Sequence, residues 1–155
     1  MFDPWQQIRV TDAVEPRPNR PRTQNITNGI AGIAKQKNAT VLVVDDEHLI
    51  ADTMTEILKR SGFQAVCAYD GRSGLELALE VNPDFVVTDV VMPKMNGIQL
   101  AIAIRKALPT TEIFLLSGQA GIAEIVEHGR KEGYLFELIA KPVHPEKLIQ
   151  RLRES

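Results

Sequence analysis

Val41-Leu42-Val43-Val44-Asp45-Asp46-Glu47 sets four apolar residues without alternation directly before an acidic run. A strand that alternated would turn one face to water; an unbroken apolar strand is buried on both faces, as in a parallel sheet covered by helices. Its first three acids then stand where the strand ends. Leu49, Ile50, Met54, Ile57 and Leu58 follow at helical spacing, and Gly62 closes that run.

The same alternation continues to the end of the chain. Phe63 to Ala68 reads as a second, weaker strand, and Gly71 to Val81 as a helix carrying Leu75, Leu77, Ala78 and Leu79, ended by Asn82-Pro83. Phe85-Val86-Val87 is a third strand. Ile98, Ala101, Ile102, Arg105 and Leu108 mark a third helix, which Pro109 ends. Ile113 to Leu116 makes a fourth strand, and Gly121 to Arg130 a weaker helix anchored by Ile122, Ile125 and Val126. Tyr134 to Ala140 reads as a fifth strand and Glu146 to Arg153 as a last amphipathic helix. Strand alternating with helix five times predicts an α/β fold, a parallel sheet with helices on both faces in three layers.

Residues 1–40 differ from this pattern. Four of the nine prolines (Pro4, Pro16, Pro18, Pro21) lie there, and the run from Glu15 to Arg22 cannot sustain a helix or an interior strand. Residues 1–40 are therefore expected to be a flexible proline-containing extension and residues 41–155 the folded domain. Asn25 to Ala34 allows a short docked helix, and Arg17, Arg20 and Arg22 allow contact with an acidic partner. Trp5, the only tryptophan, also lies in the extension.

Composition narrows the function classes. The chain of 155 residues is 44% hydrophobic and 25% charged, with a formal charge of −2, so no global basic field predicts nucleic-acid binding. The single Cys67 excludes an intramolecular disulfide and points to a reducing, cytoplasmic compartment. No apolar stretch approaches the roughly 20 residues of a membrane helix. His48, His128 and His144 fall in separate elements without ligand spacing, and Cys67 reads as an inert buried thiol. No glycine-rich phosphate cradle follows any strand.

In an open parallel sheet, functional groups gather beyond the carboxyl ends of the strands. Those ends carry Asp45 and Asp46, then Asp89, Ser117 and Lys141. Singly, each has an ordinary explanation as a helix cap, a turn residue or a surface charge. Together they bring three carboxylates, a hydroxyl and an ammonium to one edge. Three neighbouring carboxylates repel one another unless a cation joins them, and Mg2+ suits a site of carboxylates, waters and phosphoryl oxygens. Asp89 is the candidate nucleophile toward a phosphoryl group, with Lys141 and Ser117 contacting its oxygens.

These pieces, VLVVDDE (41–47), DFVVTDVVMPKMNG (84–97), FLLSG (114–118) and AKP (140–142), resemble the receiver domain of two-component response regulators. The resemblance implies the flavodoxin-like, doubly wound five-stranded sheet of chemotaxis receivers, in strand order 2-1-3-4-5. It makes Asp89 the phosphoacceptor and assigns Mg2+ to Asp45, Asp46, Asp89 and the backbone carbonyl of Val91. Ser117 becomes the switch hydroxyl and Lys141 the phosphoryl contact, with a cis peptide bond before Pro142. The implied partners are a sensor histidine kinase or phosphotransfer protein and a downstream effector protein, without nucleic acid or membrane. A homodimer through the fourth helix, fifth strand and fifth helix is a further option. The chain is expected to be either a single-domain regulator or a piece of something longer, and to catalyse only its own phosphorylation and dephosphorylation.

The chain departs from the family pattern at Leu138, where an aromatic switch residue is usual. Strand alternation would put Tyr134, Phe136 and Leu138 on one face, so that a shifted register could substitute one for another. Two other functions compete. A haloacid-dehalogenase-type phosphatase also uses a strand-end aspartate, but it needs a second aspartate two residues on, where this chain has Val91. An interaction module that acts without phosphorylation remains the other alternative.

Overall fold

The computed structural model describes residues 38–118 and 122–155. The extension up to residue 37 lies outside the described residues, and so do the expectations about Asn25 to Ala34 and about Arg17, Arg20 and Arg22. The elements run β1 (Thr40–Val44), α1 (His48–Arg60), β2 (Gln64–Ala68), α2 (Gly71–Val81), β3 (Phe85–Asp89), α3 (Gly97–Ala107), β4 (Glu112–Ser117), α4 (Ile122–Lys131), β5 (Glu137–Ala140) and α5 (Pro145–Glu154). All neighbouring strands pair in parallel, in the order β2-β1-β3-β4-β5.

The apolar runs split between the two faces, as a period of two requires. Leu42, Val44, Val86, Ile113 and Leu115 face α2, α3 and α4, where they meet Ala78, Ile98, Leu100 and Ile104. Val41, Val43, Val87, Phe114 and Leu116 face α1 and α5, meeting Met54, Leu58, Leu148 and Leu152. Each fully buried Leu contributes about 1.5–3 kcal/mol relative to an exposed one. The result is the three-layer doubly wound arrangement.

Two elements differ from the expected pattern. In α1 the buried residues are Ala51, Met54, Thr55 and Leu58, whereas Leu49 is 79% exposed and Ile50 is exposed too. Met54 and Leu58 of the expected stripe are buried while Leu49 and Ile50 are not, so the stripe misjudged the first turn. The fifth strand is also shorter than expected. Only Glu137 to Ala140 pairs, in register with Phe114 to Ser117. Gly133 takes φ 89° as the chain leaves α4, and Tyr134 N–H returns to the Gly129 carbonyl at 3.0 Å. That turn keeps Tyr134 and Phe136 ahead of the strand, where they pack on the core face shared with α3.

The β3–α3 connection carries Asp89 and is pinned by backbone. Asn96 and Gln99 form a reciprocal capping box at the start of α3, and Gly97 N–H donates to the Val90 carbonyl at 2.8 Å. A Cβ at Gly97 would fall 2.1 Å from the Asp89 carbonyl oxygen and 2.9 Å from Val90 Cα, so only glycine fits. Gly97→Ala is expected to destabilise the fold by about 3 kcal/mol, measured by urea unfolding; a loss within ~0.5 kcal/mol of wild type would contradict the close approach.

Candidate functional site

The parallel ladder runs on past the ends of the strands and sets the height of the site. Asp45 N–H donates to the Ala68 carbonyl (3.2 Å), Val90 N–H to Leu116 (3.1 Å), and Lys141 N–H to Ser117 (2.8 Å). The carboxylates of Asp45, Asp46 and Asp89 thereby come together, each offering an oxygen within 4.8 Å of the others. Among the described residues this is the one group of three or more acids, histidines or cysteines placed to hold a metal ion.

The three are not equivalent. Asp45 is 2% exposed, Asp89 is buried and Asp46 is open to solvent. Asp45 Oδ1 accepts from Glu47 N–H at 2.9 Å, while its buried Oδ2 has no hydrogen-bond donor. Asp89 Oδ1 accepts a longer bond from Val91 N–H, 3.3 Å. Lys141 supplies the facing cation, with Nζ 3.0 Å from Asp89 Oδ2 and 3.9 Å from Asp45 Oδ2.

Burial raises the Asp45 carboxyl above its ordinary value of 3.8; the Glu47 N–H and Lys141 lower it, and Asp89 and Asp46 push it further up. The cluster thus holds more negative charge than its single ammonium neutralises. An orphaned buried carboxylate oxygen beside two further carboxylates is what a hard divalent cation with oxygen ligands would complete. The donor set fits Mg2+, with the carboxylates of Asp45, Asp46 and Asp89 as the groups that could hold it.

Lys141 reaches the cluster along a track cleared by Gly118. A Cβ there would lie 3.0 Å from Lys141 Cβ and 3.3 Å from its Cδ. The Lys141–Pro142 peptide bond is cis. Ser117 ends β4 opposite Ala140, one residue beyond the Asp89–Leu116 pairing, so the ladder brings it to the same edge. The sequence contains both Gly97 and Gly118, but their role emerges only when another segment's backbone or side chain crosses them.

Leu138 pairs beside Leu115 and is 45% exposed. Phe136 does not take its place. Its ring lies parallel to Tyr134 at 6.1 Å, and the Arg105 guanidinium sits over it at 5.5 Å from the centroid. Sequence reasoning also missed a polar cluster that joins α1 to β2. The Tyr69 hydroxyl donates to Asp52 at 2.6 Å, Cys67 Sγ lies 3.6 Å from the same carboxylate oxygen, and His48 stacks on Tyr69 at 3.8 Å. The Asp52 bond holds the Tyr69 phenol above its ordinary value of 10.0. Cys67 is only half-buried, because β2 is an edge strand with one open side. These four residues come from α1, β2 and the turn after it, and no sequence spacing links them. His128 and His144 lie in α4 and before α5, away from the acid cluster's set of ligands.

The geometry is matched by likeness to known proteins. Residues 41–153 match the response regulator receiver domain family. A response regulator receiver domain protein from Clostridium thermocellum is 30% identical, with a TM-score of 0.67 over 75% of this chain and 92% of that one. The chemotaxis protein CheY4 of Vibrio cholerae is 28% identical, TM-score 0.66, over 76% and 98%. The receiver domain of the Francisella response regulator 1452 is 32% identical, TM-score 0.64, over 76% and 95%.

The raised Asp45 carboxyl makes a signed prediction for the metal-free protein. A carboxyl whose value is raised on folding withdraws stability as pH climbs from 3.8 through the folded value. Asp45→Asn removes that loss and leaves Asp89 paired with Lys141. The variant is expected to be more stable by about 1 kcal/mol at neutral pH, with the gap closing as pH falls toward 3.8. Thermal unfolding of both proteins without divalent ions checks this; a gap that does not narrow on acidification would contradict it.

Proposed function

The chain belongs to the response regulator receiver domain family, a module of two-component signalling, and on that premise we propose that it accepts a phosphoryl group on Asp89 in a Mg2+-dependent reaction and thereby switches its protein contacts. The observation that carries this reading is the Asp89 carboxylate held 3.0 Å from Lys141 Nζ beside the Asp45 and Asp46 carboxylates.

Asp45, Asp46, Asp89 and the Val91 carbonyl would hold Mg2+, which when bound supplies positive charge for the phosphoryl oxygens. An Asp89 carboxylate oxygen forms the new bond to phosphorus as the bond to the donor breaks, and the donor's electron pair leaves with it. In a sensor kinase or phosphotransfer protein that donor atom is a histidine nitrogen. The Lys141 ammonium, already aimed at Asp89, transfers its attraction to the incoming phosphoryl oxygens, and the Ser117 hydroxyl donates to one of them. Val91, exposed two residues beyond Asp89, has no proton to give, so the site lacks the general acid of a phosphatase. The chain accordingly turns over only its own phosphoaspartate and passes the signal through a change in its protein contacts.

The switched surface is the face of α4, β5 and α5. Its β5 is largely exposed, with only Ile139 half-buried, which suits a surface that changes partners. Leu138 takes the place of an aromatic there, and Phe136 is committed to Arg105 and Tyr134, so the output depends on how α4 and β5 repack rather than on one ring turning.

Intact mass after incubation with acetyl phosphate tests the reaction. One phosphoryl adduct is expected with Mg2+, none without it, and none in Asp89→Asn. Absence of any adduct on wild type would leave the phosphorylation-independent interaction module as the reading. Lys141→Ala should slow formation of the adduct roughly 100-fold while keeping the fold; an unchanged rate would remove Lys141 from the mechanism.

A further inference from the structure

β3 reads Phe85-Val86-Val87-Thr88-Asp89, and its one hydroxyl stands where the apolar run calls for another valine. Thr88 pairs with Val44 on one side and Leu115 on the other, both buried in the core face under α2, α3 and α4. Thr88 is itself fully buried. Valine has almost the same shape and no polar atom to desolvate, so a threonine at this position costs stability unless its hydroxyl is bonded.

That bond goes to the backbone of the phosphoacceptor. Thr88 Oγ1 donates to the Asp89 carbonyl at 3.1 Å. Val90 N–H turns to Leu116 on β4, so the alternation of a strand turns the Asp89 carbonyl the other way, toward β1. The β1–β3 pairing has already ended there, at Val44 and Thr88. The start of α3 closes over the same oxygen, since a Cβ on Gly97 would fall 2.1 Å from it. The carbonyl is thus past the ladder and covered by backbone, and the threonine hydroxyl supplies its donor. The Asp89–Val90 peptide plane begins at the Cα that carries the acceptor carboxylate and leads to Val91, whose N–H donates to Asp89 Oδ1 at 3.3 Å. Holding the oxygen of that plane fixes both.

We propose that Thr88 is a positioning residue for phosphoryl transfer: its hydroxyl clamps the Asp89 carbonyl and so sets the aim of the Asp89 carboxylate at the incoming phosphorus. This rests on the reading of Asp89 as phosphoacceptor. Buried as it is, Thr88 reaches neither donor nor metal and acts only through the Asp89 backbone. The penalty for losing it is therefore kinetic. A misplacement of about 1 Å lowers a rate up to about 100-fold, while donor binding, which draws on Lys141 and Ser117, is untouched.

Thr88→Val removes the hydroxyl and keeps the shape; Thr88→Ser keeps the hydroxyl and loses a methyl group. With acetyl phosphate and Mg2+, Thr88→Val is expected to form the Asp89 adduct about 10-fold more slowly at saturating donor, with the half-saturating donor concentration within about 2-fold of wild type. Thr88→Ser is expected to keep the rate within about 2-fold of wild type, although its packing is the poorer of the two. Amide exchange is expected to quicken at Val90, Val91 and Gly97 in Thr88→Val and not in Thr88→Ser. A folded Thr88→Val with the wild-type rate overturns the proposal and leaves the hydroxyl a purely structural bond. If Thr88→Val does not fold, Thr88→Cys replaces it, with the shape of serine and a weak donor. Adduct formation in Thr88→Cys as fast as in Thr88→Ser overturns the proposal, and slower formation supports it. If the wild type forms no adduct, the phosphoacceptor reading fails, and exchange at the three amides decides on Thr88. Equal exchange in Thr88→Val and Thr88→Ser then overturns the clamp, and faster exchange in Thr88→Val supports it.

Discussion

Lys141 Nζ stands 3.0 Å from Asp89 and 3.9 Å from Asp45, at the end of a sheet whose two central strands β1 and β3 are mostly apolar. Without that ammonium, three converging carboxylates would repel one another where two of them have lost most of their water. Its position depends on features scattered through the chain. The β4–β5 register delivers the lysine, Gly118 opens its path, and Gly97 lets the β3–α3 loop close on the Asp89 backbone. Large apolar side chains filling both faces of β1 and β3 hold the strand ends level.

The neutralisation is deliberately incomplete in its physical effect: one cation faces three carboxylates, and Asp45 Oδ2 lacks a donor. Such a site is least stable when empty and gains most from a positive ion, a common trade between local stability and function. α5 is tied down by buried Leu148 and Leu152 and by the Arg151–Glu137 pair, with Arg151 also over Phe114. On the opposite side, Val126 joins α4 to the core, and Gly129 approaches Ile98.

The alternation of strands and helices was legible because period and punctuation are local properties. Apolar runs, the Asn82-Pro83 break and Pro109 placed the elements within a few residues of where they lie. The errors occurred where hydrophobicity and packing part company. Leu49 and Ile50 look like core side chains, but the buried face of α1 runs through Ala51, Met54, Thr55 and Leu58 and leaves that first turn in water. Tyr134 and Phe136 have strand propensity, yet the Gly133 turn commits them to α3 before pairing begins. The Asp52–Tyr69 bond joins residues 17 apart, beyond any local pattern.

The residue types of the site and their order along the chain were determined by the sequence alone: carboxylates after the first and third strands, a hydroxyl after the fourth and a lysine after the fifth. That information is local, because a strand's end is marked by where its apolar run stops. Only the tertiary structure decided that these ends meet, that Asp45 is buried with one oxygen unpartnered, and that Asp46 faces water. Those properties belong to the register between strands and to which chain segment crosses which glycine. They are set by close packing among residues 20 to 100 positions apart, where the spacing of letters along the chain carries no distance.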